Sequence, residues 1–428
     1  MIKLDRICVW LFIINLTLMT LNQLYFSLAD EVLSYLMGMA ALADCIFNRN
    51  WRQYKLLGLI MGVLGVYWVN TILFRSYNTP LYVTFDYLMM LKPFLPLCVF
   101  YGMGIELTPK EKQATRWACY FNIALLLICL PLGELRAQQY IIYYITNFGQ
   151  SALAVALTYL WVSIDREGKI TQSELLFIIF TLILGLWCGR SKYYGQTIVF
   201  FFFLFVYRPG ILSNMSFRNM AVLILLFGII MAVIWKKMTL YYLNPDLDME
   251  DTKQTVARMA LLLGMYLSIC SYPILGAGLA SFGTAPSVWN YSSFYVENNL
   301  DKVWGLSPTK NDFVCDNFLA TIGGECGILG IILFLWLSLW LYRRIRPFLH
   351  IHYPQYKFYF ICGVVAIISG LIENSNGNLF MTPAGITIYV MLGSLAARGR
   401  SIATEKQENK SHTPEYLTEK LTTHEQYK

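Results

Sequence analysis

Charge is scarce in this sequence, and histidine is scarcer. Asp, Glu, Lys and Arg make up only 14% of the 428 residues, where a soluble domain uses roughly 25% to cover its surface. That shortage excludes a chain of ordinary water-soluble domains, whatever its length suggests. The histidines are His350, His352, His412 and His424. Neither they nor the cysteines show metal-ligand spacing, so no metal is expected. The cysteines form no framework either. Cys8, Cys45, Cys98, Cys129 and Cys188 fall in apolar runs and act there as small apolar residues. Cys270 and Cys315 lie outside those runs and pair only if the fold brings them together.

Hydrocarbon is abundant instead. Apolar residues make up 57% of the chain, and mean hydropathy is +0.50. Apolar runs of roughly 18 to 24 residues recur, each long enough to cross about 30 Å of lipid. In lipid the backbone must satisfy its own hydrogen bonds, so such runs read as helices. Spans are expected over 6–28, 32–48, 56–74, 82–104, 117–133, 146–164, 175–190, 194–208, 219–237, 317–341, 358–374 and 380–397. The expected fold is all-α, a polytopic transmembrane helix bundle of about twelve spans with one large outer loop containing short helices. Residues 1–237 hold the earlier spans, 238–316 the extracytoplasmic loop and 317–401 the last spans. The polar tail 402–428 reads as disordered and cytoplasmic, since it buries too little to offset its chain entropy. Lys3 and Arg6 precede the first span as in a signal peptide, but its apolar core is long and lacks an A-x-A site. It reads as an uncleaved anchor.

Basic residues orient the bundle. Alternate connections carry Arg49, Arg52 and Lys55; Lys110, Lys112 and Arg116; Arg166 and Lys169; Arg208 and Arg218; Arg343, Arg344 and Arg346. By the positive-inside rule both termini are cytoplasmic. The formal charge of +7 is thereby spread over inner loops, without the clustered patch that nucleic acid needs. Trp10, Trp51, Tyr67, Trp117 and Trp161 near span ends fit interfacial belts.

The segment 238–316 interrupts the pattern, and a long loop of this kind is usually functional. It opens acidic (Asp246, Asp248, Glu250, Asp251), runs into a helical stretch bearing Arg258, and breaks at Pro273, Gly276 and Gly278. An aromatic stretch follows, with Trp289, Tyr291, Phe294, Tyr295 and Trp304. From Asp316 the chain reads D-N-F-L-A-T-I-G-G-E-C-G-I-L-G into an apolar span. This resembles the O-antigen ligase and polymerase superfamily, whose signature is His-Asn followed by Glu-x-Gly-x-x-Gly; Asn317, Glu325, Gly327 and Gly330 fall in register. Arg258 with S-Y-P-I-L-G-A-G-L-A-S-F looks like the family's arginine-bearing loop helix and glycine segment. G-R-S-K-Y-Y-G at 189–195 resembles its arginine turn between two spans.

The resemblance implies a glycosyltransferase without cofactor in a bacterial cytoplasmic (inner) membrane. It would act on undecaprenyl-diphosphate-linked oligosaccharides among membrane lipids, beside a flippase and a chain-length regulator. Where the family's ligases carry histidine this chain has Asp316. The expectation is therefore a repeat-unit polymerase for O-antigen, capsule or exopolysaccharide, with an O-antigen ligase or a lipid-linked oligosaccharide flippase as alternatives. Intramembrane charges are few, which disfavours the flippase.

The chemistry follows from residue types. A departing diphosphate needs fixed cations aimed at its developing charge, and arginine's fork suits phosphate oxygens. Arg190 and Arg258 are the candidates, with Lys192 as a further cation. Asp316 is the candidate base for the attacking hydroxyl. Asn317, Glu325, Gly276 and Gly278 are candidate substrate-binding residues. Each has a plainer competing role. Arg190 can snorkel to the interface and anchor a helix end, Lys192 can be a solvated end charge, and Arg258 can pair with the acidic run. Asp316 can cap a helix, Glu325 can make a structural pair, and the glycines can serve a turn. The aromatic stretch either stacks on sugars or packs the loop. Lys92, inside an apolar span beside Pro93, needs a partner, with Asp86 the nearest in sequence.

Overall fold

A backbone among hydrocarbon side chains closes its hydrogen bonds within its own helix, and the described apolar runs of this chain do so. The computed structural model describes residues 4–26, 28–165, 169–206, 228, 252–349, 356–375, 377–379 and 381–425. Among them the chain is all-α, the sole β feature being an isolated bridge between Ser307 and Lys310. The helices are α1 (Leu4–Leu18), α2 (Ala29–Asn48), α3 (Lys55–Phe74), α4 (Pro80–Leu91), α5 (Phe94–Met103), α6 (Pro109–Tyr140), α7 (Ile145–Ser163), α8 (Gln172–Gly185), α9 (Ser191–Phe201), α10 (Thr252–Ser271), α11 (Phe318–Ile345), α12 (Lys357–Asn374) and α13 (Pro383–Glu425). The expected span 219–237 and the acidic run 246–251 lie outside the described residues.

Four described helical stretches are long and apolar enough to cross a membrane: Trp51–Phe74, Pro109–Tyr140, Phe318–Leu349 and Lys357–Asn374. The pair α4–α5 makes a fifth if counted as one span, bent by 42° at its break. Pro93 heads α5 there, and its missing N–H and ring favour such a bend. Two long helices are interrupted where glycine permits it. Gly133, two residues after Pro131, takes φ 73° inside α6. Gly327 takes φ 66° inside α11, a conformation that side chains with a Cβ resist.

The centre is α7, buried at every position from Phe148 to Ser163. Its small residues Gly149, Ala152, Ala154 and Ala156 let neighbouring helices approach closely. Loop contacts define two ends. At one, Arg6 binds Glu111 at 2.6 Å, Lys112 donates to the Ile164 carbonyl at 3.1 Å, and Ser394 donates to that of Ile105 at 2.7 Å. At the other, Ser293 N donates to the Tyr77 carbonyl at 3.2 Å and Phe318 N to that of Gly377 at 3.1 Å.

Several expectations change. Lys92 is 2% exposed and does not meet Asp86; its Nζ lies 2.8 Å from Asp30 and 2.7 Å from Glu31. The bend at Pro93 turns this lysine toward the start of α2, which sequence distance did not reveal. Trp10, Trp51 and Trp117 are exposed as a belt requires, but Tyr67 and Trp161 are buried. Tyr67 donates to the Cys326 carbonyl at 3.0 Å, which joins α3 to α11. Helix α13 continues through 402–425, where low burial suggested no order; Glu405, Lys406, Gln407, Glu408 and Lys410 open that stretch, and such residues favour helix in water. Cys270 and Cys315 are both free thiols.

Candidate active site

The approach to α11 decides which residue caps and which is left to act. Asn317, buried, is the N-cap, and its side chain accepts from Ala320 N at 3.0 Å. Its neighbour Asp316 is thereby spared the capping role and meets Arg258 on α10. The guanidinium Nη2 lies 3.3 Å from Asp316 Oδ2, with the two side chains 20% and 33% exposed. The packing of α10 along α11 makes this meeting possible. Burial raises the Asp316 carboxyl above its ordinary 3.8, while the positive charges of Arg258, Lys192 and Arg190 hold it back. All three cations therefore bear on one carboxylate, although Arg190 and Asp316 are separated by more than a hundred residues of chain.

The two cations of the α8–α9 connection are held differently. Gly189 turns the chain with φ 63° and Arg190 follows in extended conformation as the residue before α9. Its Nε is buried without a hydrogen-bond partner among the described residues. Lys192 forms an ion pair with Glu373, near the end of α12. Glu373, 2% exposed, also accepts from Gln150 Nε2 at 2.8 Å and Gln196 Nε2 at 3.0 Å. One buried carboxylate thus ties α7, α9 and α12 beneath the cations. Tyr144, just before α7, shares this end: burial chiefly pushes its hydroxyl up, and Tyr143, Asp312 and Asp316 add to the effect.

Glu325, Gly276 and Gly278 make contacts between the loop and α11. Glu325 is fully buried and accepts from Phe282 N at 3.2 Å and Thr284 Oγ1 at 3.1 Å. Asp86 Oδ2 accepts from Ala280 N at 2.7 Å in the same loop. Gly276 and Gly278 take φ 66° and 96° and lay the loop backbone directly on the interrupted turn of α11. Ala277 N donates to Gly324 O at 2.8 Å and Gly278 N to Glu325 O at 3.0 Å. A Cβ on Gly276 would stand 2.6 Å from the Glu325 carbonyl, and one on Gly327 2.6 Å from Gly276 N. The glycines are spent on backbone contact between loop and helix.

The aromatic stretch divides. Phe294 and Tyr295 are buried against Phe282, with centroids 5.5 and 5.8 Å apart. Trp289, 59% exposed, and Trp304, 37% exposed, remain at the surface. Sequence reading overlooked Glu373 and Arg75. An ionisable residue within an apolar span was a legible signal for Glu373. Arg75 stacks 3.9 Å from the Tyr272 ring centroid, a contact between distant segments that spacing could not reveal. Among the described residues no group of three or more His, Cys, Asp or Glu is placed to hold a metal ion. Compared with protein-family models and with curated proteins, the chain matches none.

Proposed function

We propose that this chain is a polysaccharide polymerase that joins polyprenyl-diphosphate-linked repeat units on the outer face of a bacterial cytoplasmic membrane. In this reading it crosses the membrane about twelve times, the four long apolar stretches and the bent α4–α5 pair among the crossings. Helices lie at each expected span outside 219–237, and the alternating basic connections support cytoplasmic termini. The observation that carries the reading is the Arg258–Asp316 ion pair at the head of α11, where the charges of Lys192 and Arg190 are also felt by the carboxylate.

The donor's diphosphate is gripped by Arg190, Arg258 and Lys192, which stabilise the charge it gains on leaving. The acceptor hydroxyl oxygen forms a bond to the anomeric carbon of the donor sugar. The bond from that carbon to the diphosphate oxygen breaks, and its electron pair departs with the diphosphate. The hydroxyl proton passes to the Asp316 carboxylate. Diphosphate competes with Asp316 for Arg258, so donor binding itself releases the base from its ion pair.

The test is the glycan profile of a deletion strain complemented with the wild type, Arg190→Ala or Arg258→Ala. A polymerase variant leaves single repeat units at the surface and no long chains. Accumulation of long lipid-linked polymer without transfer would identify a ligase, and absence of single units outside would identify a flippase. Cysteine labelling that placed position 190 or 258 on the cytosolic side would end the proposal.

A further inference from the structure

The end of the bundle opposite Asp316 holds a second concentration of positive charge, and it is recessed. A pocket of about 410 Å³ opens between the α5–α6 connection, the end of α7, the start of α12 and the middle of α13. Lys112, Arg398 and Arg400 line it, all half-buried. Cations that merely orient a membrane protein need only lie in a solvated loop. These three are instead fixed in place by neutral groups. Lys112 Nζ donates to the Ile164 carbonyl at 3.1 Å. Arg398 Nη1 donates to the Tyr359 hydroxyl at 2.9 Å, its guanidinium carbon 4.4 Å from that ring's centroid. Arg400 Nη2 donates to the Tyr101 carbonyl at 3.3 Å and stacks 4.6 Å from that ring's centroid.

The carboxylates nearby are committed or peripheral. Glu106 and Asp165 line the pocket's edge and are exposed; Asp165 Oδ1 accepts from Lys169 N at 2.7 Å in its own turn. Among the described residues none of the three cations is neutralised by a carboxylate within ion-pair distance. Each uses one donor on a neutral oxygen and keeps others: a guanidinium has five N–H donors and an ammonium three. Ser401 is exposed at the rim and adds a hydroxyl. Rigid forks over aromatic rings, with spare donors in a recess, match the oxygens of a phosphate group.

We propose that this pocket binds a phosphate group, carried either by an anionic lipid headgroup or by a soluble phosphate compound. The chemistry is shared: two guanidinium forks and one ammonium around phosphate oxygens, with the aromatic faces flanking. The pocket is separate from the Arg258–Asp316 cluster, and its occupancy does not depend on the glycosyl-transfer reading.

The experiment uses the full chain purified in detergent. One arm adds phosphatidylglycerol or phosphatidylcholine and measures retained lipid by native mass spectrometry. A second adds inorganic phosphate and follows the thermal unfolding midpoint. The wild type is expected to retain phosphatidylglycerol in preference to phosphatidylcholine, or to be stabilised by inorganic phosphate. The first result assigns a lipid source and the second a soluble one. Arg398→Gln and Arg400→Gln should each weaken the effect about five-fold, the equivalent of roughly 1 kcal/mol per cation near a phosphate. Because either variant can fail to fold, the wild type is also titrated with salt, which should release the ligand by screening. Neither preference nor stabilisation in the wild type, binding indifferent to salt, or folded variants that bind like wild type would each overturn the proposal.

Discussion

Arg258 and Asp316 join α10 to the residue just before the N-cap of α11, with Nη2 and Oδ2 3.3 Å apart and both side chains partly open to solvent. A structural ion pair at a surface contributes about 0–1 kcal/mol, so its loss should be barely visible in stability. If Asp316 is the base, its loss should be very visible in turnover. Asp316→Asn is expected to lower glycan extension by about 10²–10⁴-fold while the protein accumulates normally in the membrane. Near-normal chain length in that variant would remove Asp316 from the reaction.

The pH profile carries a second, signed expectation. Burial raises the Asp316 carboxyl above 3.8, against the opposing charges of Arg258, Lys192 and Arg190. A base acts as carboxylate, so turnover should fall as pH drops through that raised value. Removing one opposing cation favours the protonated form further. Residual activity of Arg258→Gln should therefore show its acid limb at higher pH than the wild type. A limb unmoved, or moved to lower pH, would mean that another group sets the profile.

Lys92 tests the packing of the bundle. It is 2% exposed and held between Asp30 and Glu31 at 2.8 and 2.7 Å. Lys92→Met leaves two acidic groups facing each other without their cation, and breaking a buried pair costs about 3–5 kcal/mol. The unfolding midpoint in detergent should drop clearly. Adding Asp30→Asn and Glu31→Gln to the same protein should recover part of the loss, because the uncompensated charges go with them.

The docking of the loop on α11 can be broken at one carbon. Gly276→Ala adds a Cβ about 2.6 Å from the Glu325 carbonyl, at a φ of 66°. The left-handed conformation alone costs roughly 1–2 kcal/mol for a residue with a side chain, and the backbone contact adds to it. Limited proteolysis within 272–316 should accelerate relative to wild type. Gly58→Ala on α3, where nothing lies within 4 Å of the added carbon, should leave proteolysis unchanged.

The sequence was a good guide to the helices and a partial guide to the site. Spacing of Arg190, Arg258 and Asp316 along the chain carried no distance between them. The order of the motifs was visible, whereas the contact of Arg258 with Asp316 depended on the packing of α10 along α11. The choice between Asp316 and its neighbour as cap was open until Asn317 was seen to accept from Ala320 N. Lys92 shows the same limit. Its need for a partner was plain from an isolated charge in an apolar run, but the partner lay on α2, beyond the bend at Pro93.

By itself the sequence determined the all-α character, because long apolar runs admit few structures that leave no backbone group unsatisfied. It also determined the alternation of basic connections, which is a count of charges along the chain. The tertiary structure decided which charges meet, that Glu373 anchors Lys192, and that Gly276 and Gly278 lay the loop backbone on α11. The physical reason is that hydrophobicity acts per residue and survives reading in one dimension. Ion pairing and close approach depend on separations of a few ångströms, which only packed helices set.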